Sequence, residues 1–406
     1  TLRRRRYSVN TIPDHFSVRP GAYAPGRVLL PKSIDRQPFC VILFPPWNKR
    51  GEEVVVTEDK TSVYARRFRV LAAAFVLLFF ASFLLGRFAV APGTLFRILW
   101  DAIREGVCKL FGMQPPVPAY TGQERAVVLN IRLPRVALSA LVGAGLSVAG
   151  TAYQGMFRNP MVSPDILGAS NGAGFGAALG ILLSFNYFGV TVSAFVFGVG
   201  AVALAWCISR ASRMNGTLAM VLAGIVVGSL FSAGTSFIKL VADTEQQLPA
   251  ITYWLMGSLS SAKTRDLQFA LIPALIGMVP LFLLRWRINL LTLGEEEARS
   301  LGVHTTRLRL VIVVCATLIT SACVSVSGMI GWVGLVIPHF ARMLFGHDYK
   351  RLIPASMLLG GSFLMVVDNI ARLATAGEIP LGILTSVVGA PVFVWLILRG
   401  GADREH

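Results

Sequence analysis

Few side chains in this chain are of a type and spacing that could do chemistry. His339 stands alone in Ile337-Pro338-His339-Phe340, with no HExxH, Cys/His cluster or Ser/His/Asp constellation beside it. A lone histidine in an apolar run more often satisfies an interhelical hydrogen bond than binds a metal. The five cysteines (Cys40, Cys108, Cys207, Cys315, Cys323) are odd in number and lack CxxC spacing. Neither a disulfide framework nor a thiolate metal site is expected from them. No lysine follows a glycine anywhere, so the phosphate-cradling GxxxxGK[ST] loop does not occur. A process driven by ATP would need a partner chain to hold the nucleotide. Asp368 is the one carboxylate that could serve ion coupling within an apolar run, and it lies near the run's end. These residues predict no enzyme active site and no metal or cofactor bound by the chain itself.

The elements that carry these residues are apolar runs. The 406 residues are 54% hydrophobic and 15% charged, against about 25% charged in an average soluble chain. Runs near 20 residues without strict alternation predict an all-α polytopic membrane protein. Ten spans are expected: Val70–Gly86, Pro134–Phe157, Asp165–Leu183, Phe188–Ser209, Thr217–Ile238, Leu267–Leu284, Leu310–Ser327, Gly331–Met343, Leu352–Arg372 and Pro380–Leu398. Between the seventh and eighth, the glycines at 328 and 331 predict a re-entry. Thr94–Val107 carries an amphipathic pattern (Leu95, Ile98, Leu99, Ile103) that suits the membrane surface. Residues 1–68 are polar, proline-bearing and arginine-rich, and read as a disordered cytosolic extension able to touch anionic lipid. No secretory signal is read in them. Residues 69–400 form the membrane domain and 401–406 a short cytoplasmic tail.

The net charge of +17 raises the question of nucleic acid. The arginines crowd at the ends of apolar runs, without interleaved aromatics, which suits membrane topology instead. Counting them puts the N-terminal extension, Arg158, Arg210 and Arg213, the 285–309 insert, the 342–351 corner and Arg399 on one side, the cytoplasmic one, with both termini. The opposite side still holds Arg97, Arg104, Arg125, Arg132, Arg135, Lys263 and Arg372, an excess that needs a reason. Snorkelling is one, and an i,i+4 pair of Asp368 with Arg372 is another. Gly168, Gly172, Gly176 and Gly180 recur at every fourth position and make a side-chain-free groove for close helix packing. In the insert, Leu290 to Val303 reads as two short helices broken at Gly294. The second carries Glu295, Glu296 and Glu297 in its positive first turn and ends on Gly302.

Several pieces together carry a resemblance: Arg132-Leu-Pro-Arg135, Gln154, Arg158-Asn-Pro-Met-Val-Ser-Pro-Asp-Ile-Leu-Gly168 and Asn171-Gly-Ala-Gly174. From about Val70 to Gly400 the chain resembles the FecCD-type permeases of ABC importers for iron-siderophore, haem and cobalamin. The resemblance implies a type II ABC importer permease fold in the plasma membrane. It implies a homodimer, two ATP-binding subunits carrying ATP and Mg, and an extracytoplasmic substrate-binding protein. It gives Arg132, Arg135 and Arg372 to docking of that binding protein, where charge pairing sets register and encounter rate. It gives Leu293, Gly294, Glu295, Glu296, Glu297, Ala298, Leu301 and Gly302 to coupling with the ATPase. It lines the translocation path with Gly224, Gly228 and Ser232 of the fifth span and Gly382, Thr385, Ser386 and Gly389 of the tenth. Those small residues could equally pack helices. A path poor in charge suits a bulky, mainly uncharged chelate better than a bare cation. The competing reading is a stand-alone, ion-coupled secondary transporter.

Overall fold

The computed structural model describes residues 57–86, 88–111, 120–213, 216–375 and 377–402. The expectation of disorder for the N-terminal extension falls mostly on residues outside that set. The chain divides into two units, Thr1–Lys60 and Thr61–His406, and the bundle of helices belongs to the second. No strand occurs among the described residues.

The helices in chain order are α1 (Thr57–Leu84), α2 (Pro92–Leu110), α3 (Gly122–Ala126), α4 (Leu133–Phe157), α5 (Ala169–Leu182), α6 (Tyr187–Ala211), α7 (Gly216–Val241) and α8 (Gln247–Met256). They continue as α9 (Thr264–Leu283), α10 (Arg285–Leu293), α11 (Glu295–Ser300), α12 (Thr305–Ser327), α13 (Val333–Phe345), α14 (Tyr349–Ala374) and α15 (Leu381–Ala402). Among the described residues, seven helical stretches are long and apolar enough to cross a membrane, and α13 and α15 are shorter apolar helices. With the 14-residue α5, they account for the ten expected spans.

The centre is α4, joined to α3 by one π-helical turn at Val127–Arg132. Its sequence supplies a small residue wherever a neighbour crosses. A Cβ on Gly143 would lie 2.7 Å from that of Leu364 in α14, and one on Gly150 would lie 2.9 Å from the Cα of Gly334 in α13. One on Gly145 would lie 2.9 Å from Ile319 and Cys323 in α12. Lipid gives helices no hydrophobic drive to associate, so such backbone proximity, with its dense dispersion contacts, is what holds the bundle. The same device joins α5 to α6: Gly172 faces Ala201, Gly176 faces Ser193, and Ser193 Oγ donates to Gly176 O at 2.7 Å. Gly180 lies beside Val190, whereas Gly168 turns to Gly228 of α7.

The chain breaks where helices α12 and α13 meet, at Gly328 with φ +68, a conformation that favours glycine. Broken backbone inside a bilayer needs partners. They are found at two other breaks: Ser258 N–H donates to Ser327 O at 2.8 Å, and Leu381 N–H to Gly257 O at 2.8 Å.

Four expectations are corrected. Helix α1 begins at Thr57, so the boundary at 68/69 falls inside a helix. Its basic turns are fastened rather than free: Arg67 Nη1 donates to Leu344 O at 2.7 Å, and Phe68 meets Phe345 edge-on. The polar stretch 239–265 contains the unforeseen α8. The third span opens as a separate 3-10 turn, Pro164–Leu167, before Gly168. In α2, Leu95 and Ile98 are buried, but Ile103 is 63% exposed and belongs to the other face.

Candidate functional site

At one end of the bundle, α1, α4 and α14 bring three arginines together, and none of them projects outward. Arg135, on the first turn of α4, reaches across to α14. Its Nε donates to Asp368 Oδ1 at 2.9 Å and Oδ2 at 3.2 Å, and its Nη1 to Glu378 Oε1 at 3.1 Å. Arg132 donates to the carbonyls of Phe83 and Phe88. Arg372 donates to Ser82 O at 2.6 Å and to Asn369 Oδ1. Ser82 and Phe83 end α1, where carbonyls lack helical partners and the helix dipole favours cations. Two arginines therefore cap α1.

All three arginines are at most 7% exposed, and with Glu378 they line a cavity of about 220 Å³. Each is held by carbonyls or carboxylates of its own chain. The i,i+4 pairing of Asp368 with Arg372 is corrected: the ion pair of Asp368 is with Arg135. Glu378, Asn369 and Ser82 were missed by sequence reasoning. Glu378 had a signal, since it is the last carboxylate before the tenth apolar run.

At the other end lies the insert. Helices α10 and α11 meet at Gly294, whose φ of +141 few side chains would tolerate. The expected pair of short helices is present, with Glu295, Glu296 and Glu297 opening α11. Ala298, Ile288 and Leu291 are buried, whereas Leu293 and Leu301 are 53% and 58% exposed. Gly302 follows with φ +80, closing the second helix. Glu295 pairs with Arg309 at the start of α12 at 2.6 Å. Asn289 ties α10 to the head of α14, donating to Asp348 Oδ1 at 2.6 Å and accepting from Tyr349 N–H at 2.8 Å.

A cleft of about 830 Å³ joins Leu293 to Glu297 with Arg158, Asn159 and the opening residues of α7. A neighbouring cavity of about 310 Å³ joins Arg158 to Thr292, Arg342 and His347. Three of the corners that arginine counting assigned to one side, at Arg158, in the insert and at 342–347, thus gather at one end.

The residues assigned to a path divide. Gly224 and Gly228 face Ile166, Leu167, Gly168 and Asn171 of the same chain. Gly382 faces Met256 and Met329, Gly389 faces Trp332, and Thr385 is buried with its hydroxyl on Gly382 O. At these glycines a neighbouring backbone or side chain of the same chain takes up the space, and Gly382 stays half-exposed. Ser232 and Ser386 remain exposed. On α7, Ile225 shares the face of Ser232, and Val226, Leu230 and Phe237 are exposed further round the helix. His339 is half-buried, and no group of three His, Cys, Asp or Glu among the described residues could hold a metal.

The profile of the FecCD transport family matches residues 74–399. The molybdate import system permease MolB of Haemophilus influenzae is 40% identical over 69% of this chain and 84% of its own length. The hemin transport system permease HmuU of Yersinia pestis is 41% identical over 68% and 84%. The cobalamin import system permease BtuC of Halobacterium salinarum is 40% identical over 69% and 74%. A solved metal-chelate type ABC transporter in an inward-facing conformation superposes with a TM-score of 0.72 at 36% identity, covering 82% of this chain and 99% of that one.

Proposed function

Because the chain belongs to the FecCD transport family, we propose that it is the permease of an ATP-driven importer for a metal chelate: an iron-siderophore, haem or cobalamin. Two copies would enclose one path, with two ATP-binding subunits at the cytoplasmic end and an extracytoplasmic binding protein at the other. Both termini are then cytoplasmic. ATP and Mg belong to the partner subunits.

The observation that carries this reading is the family match over residues 74–399 in a chain with no nucleotide loop of its own. The insert supports it. Leu293 and Leu301 are large apolar side chains left exposed on two short helices, and the inner face of those helices is anchored by Ala298 and by the Glu295–Arg309 pair. Such a surface suits a cleft on a partner. Relatives named for molybdate, hemin and cobalamin stand at 40%, 41% and 40% identity, so identity does not choose the cargo. The exposed faces of α7 and α15 offer serines and aliphatic groups, which favours a bulky chelate over a bare ion. Ion coupling is not favoured, because Asp368 is committed to Arg135.

The test is uptake into proteoliposomes holding the chain with its ATP-binding subunits, using labelled ferric siderophore, hemin and cobalamin. Uptake of one chelate that requires ATP is expected. Equal uptake by the chain alone, driven by an ion gradient, overturns the proposal.

A further inference from the structure

We propose that the cavity between the Arg158 corner, α10 and the α13–α14 junction is a binding site for a phosphate group. The cavity has a volume of about 310 Å³, and Gln154, Arg158, Thr292, Arg342, His347 and Tyr349 line it. No carboxylate is among its lining residues. The nearest, Asp348, is turned away to Asn289 Nδ2 at 2.6 Å and Lys350 N–H at 3.0 Å. Glu295, Glu296 and Glu297 line the adjoining cleft beyond Arg158, and Glu295 is taken by Arg309.

The guanidinium of Arg342 is built into place. Its Nη1 donates to Gln154 Oε1 at 2.6 Å. The amide of Gln154 is itself fixed by donation to Val162 O at 3.1 Å and Leu335 O at 3.4 Å. The other arm of the fork, Nη2, is buried and has no hydrogen-bond partner. A buried charged donor left unpaired is costly, and an anion would remove that cost. Arg158 supplies the second charge. Its φ of +52 is unusual for a long side chain. Its backbone N–H closes α4 on Gln154 O and Gly155 O, while its side chain makes no ion pair among the described residues.

Two arginines on separate elements, with a histidine and two hydroxyls, surround a space larger than one carboxylate needs. The Thr292 hydroxyl is spent on Asn289 O at 2.7 Å, so the positive charge of the two arginines is what suits the space to a multiply charged anion. Met343 and Leu344, next to Arg342 on α13, are 52% and 45% exposed and offer a surface for acyl chains. A lipid headgroup and free phosphate share this chemistry. The inference does not rest on the transport reading.

The full-length chain is placed in phosphatidylcholine nanodiscs with and without phosphatidylglycerol, and retained lipid is read by native mass spectrometry. Inorganic phosphate is titrated in parallel by thermal shift. The variants are Arg158→Gln, Arg342→Gln and Arg342→Lys, with the exposed Arg213→Gln as control. The wild type and R213Q should bind one probe alike. R158Q and R342Q should lose about tenfold in affinity, the scale of one charged hydrogen bond, and R342K should fall between. Loss of phosphatidylglycerol identifies a headgroup site, and loss of the phosphate shift identifies a free-anion site. Equal binding by all variants overturns the proposal.

Discussion

Removing the carboxylate of Asp368 should destabilise the protein far more than removing that of Glu378, although both bind the same arginine. The cluster holds Arg132, Arg135 and Arg372 against Asp368 and Glu378, a formal sum of +3 and −2, or +1. Asp368→Asn raises that sum to +2 in a place where Arg135 and Asp368 have side-chain exposures of 8% and 1%. Breaking a buried pair by removing one partner costs about 3–5 kcal/mol, because the other charge is stranded. Arg135 keeps Glu378 at 3.0 Å, so the lower end, about 3 kcal/mol, is expected here. Glu378 is 27% exposed, and Glu378→Gln keeps an amide oxygen to accept from Arg135 Nη1, for a cost of about 1 kcal/mol.

The decisive comparison is a third variant, Arg135→Met with Asp368→Leu, which deletes both charges at similar volume. It should lie within about 1 kcal/mol of wild type. Denaturant unfolding in mixed micelles measures all three. If D368N is no worse than E378Q, the pair is hydrated rather than buried. If the double variant is as unstable as D368N, the loss comes from shape and hydrogen bonding, and the electrostatic argument fails.

Other consequences arise from the same geometry. Reversing Glu295→Arg alone should loosen α11 and lower ATP-coupled uptake, and adding Arg309→Glu should restore it; failure of the second change to rescue would show that the pair does not hold the insert. Neutralising Glu295, Glu296 and Glu297 to glutamine should leave ATP hydrolysis running without uptake in proteoliposomes; unchanged stoichiometry would remove the insert from coupling. Gly150→Leu, whose Cβ would meet the Gly334 backbone, should cost about 3 kcal/mol or block folding. Gly200→Ala, on α6 with nothing within 4 Å of the added carbon, should gain about 0.5–1 kcal/mol in thermal unfolding. Gly302→Ala has equal room but a φ of +80, and should lose about 1 kcal/mol by the same measurement.

The number and order of membrane helices were legible because hydropathy over about 20 residues is a local property. The break at Gly294 was legible for a similar reason: glycine before three glutamates marks a helix start within a few residues. The partners of the arginines were not. Arg135 and Asp368 lie on helices far apart in the chain and meet only after α4 and α14 pack. One sequence offers no sign that an acid there waits for that base, so the nearer Asp368–Arg372 spacing looked like the pair. The glycines of α7 and α15 were ambiguous for a different reason. Absence of a side chain serves a path and a helix crossing equally, and only the neighbour's position tells them apart. Helix α1 was read short because Lys60, Arg66, Arg67 and Arg69 depress hydropathy, although each is a good helix former.

The distribution of these contacts divides the molecule by stiffness. Helices α4, α13 and α14 touch through glycines at backbone distance, whereas α12 meets Gly145 through the side chains of Ile319 and Cys323, and little is free there to absorb a shift. Motion in such a body is the motion of the whole. The joints lie elsewhere, at Gly294 beneath it and at Gly257 and Gly328 within it, where a few backbone hydrogen bonds carry the connection. Helix α15 enters at that second joint, through Leu381 on Gly257. A load applied to α11 should pass in part through Glu295 and Arg309 into α12, which ends at Gly328. The Glu295–Arg309 pair, the Arg299–Thr305 hydrogen bond and the turn at 301–304 join the insert to α12, and Asn289 joins it separately to α14. The route through α12 requires that crosslinking α12 to α4 lessen the displacement of α15 when the insert is loaded, and that crosslinking α6 to α5, away from the route, leave it free. Displacement of α15 that survives the first crosslink undiminished, read by spin-label distances, would show that the load travels another way.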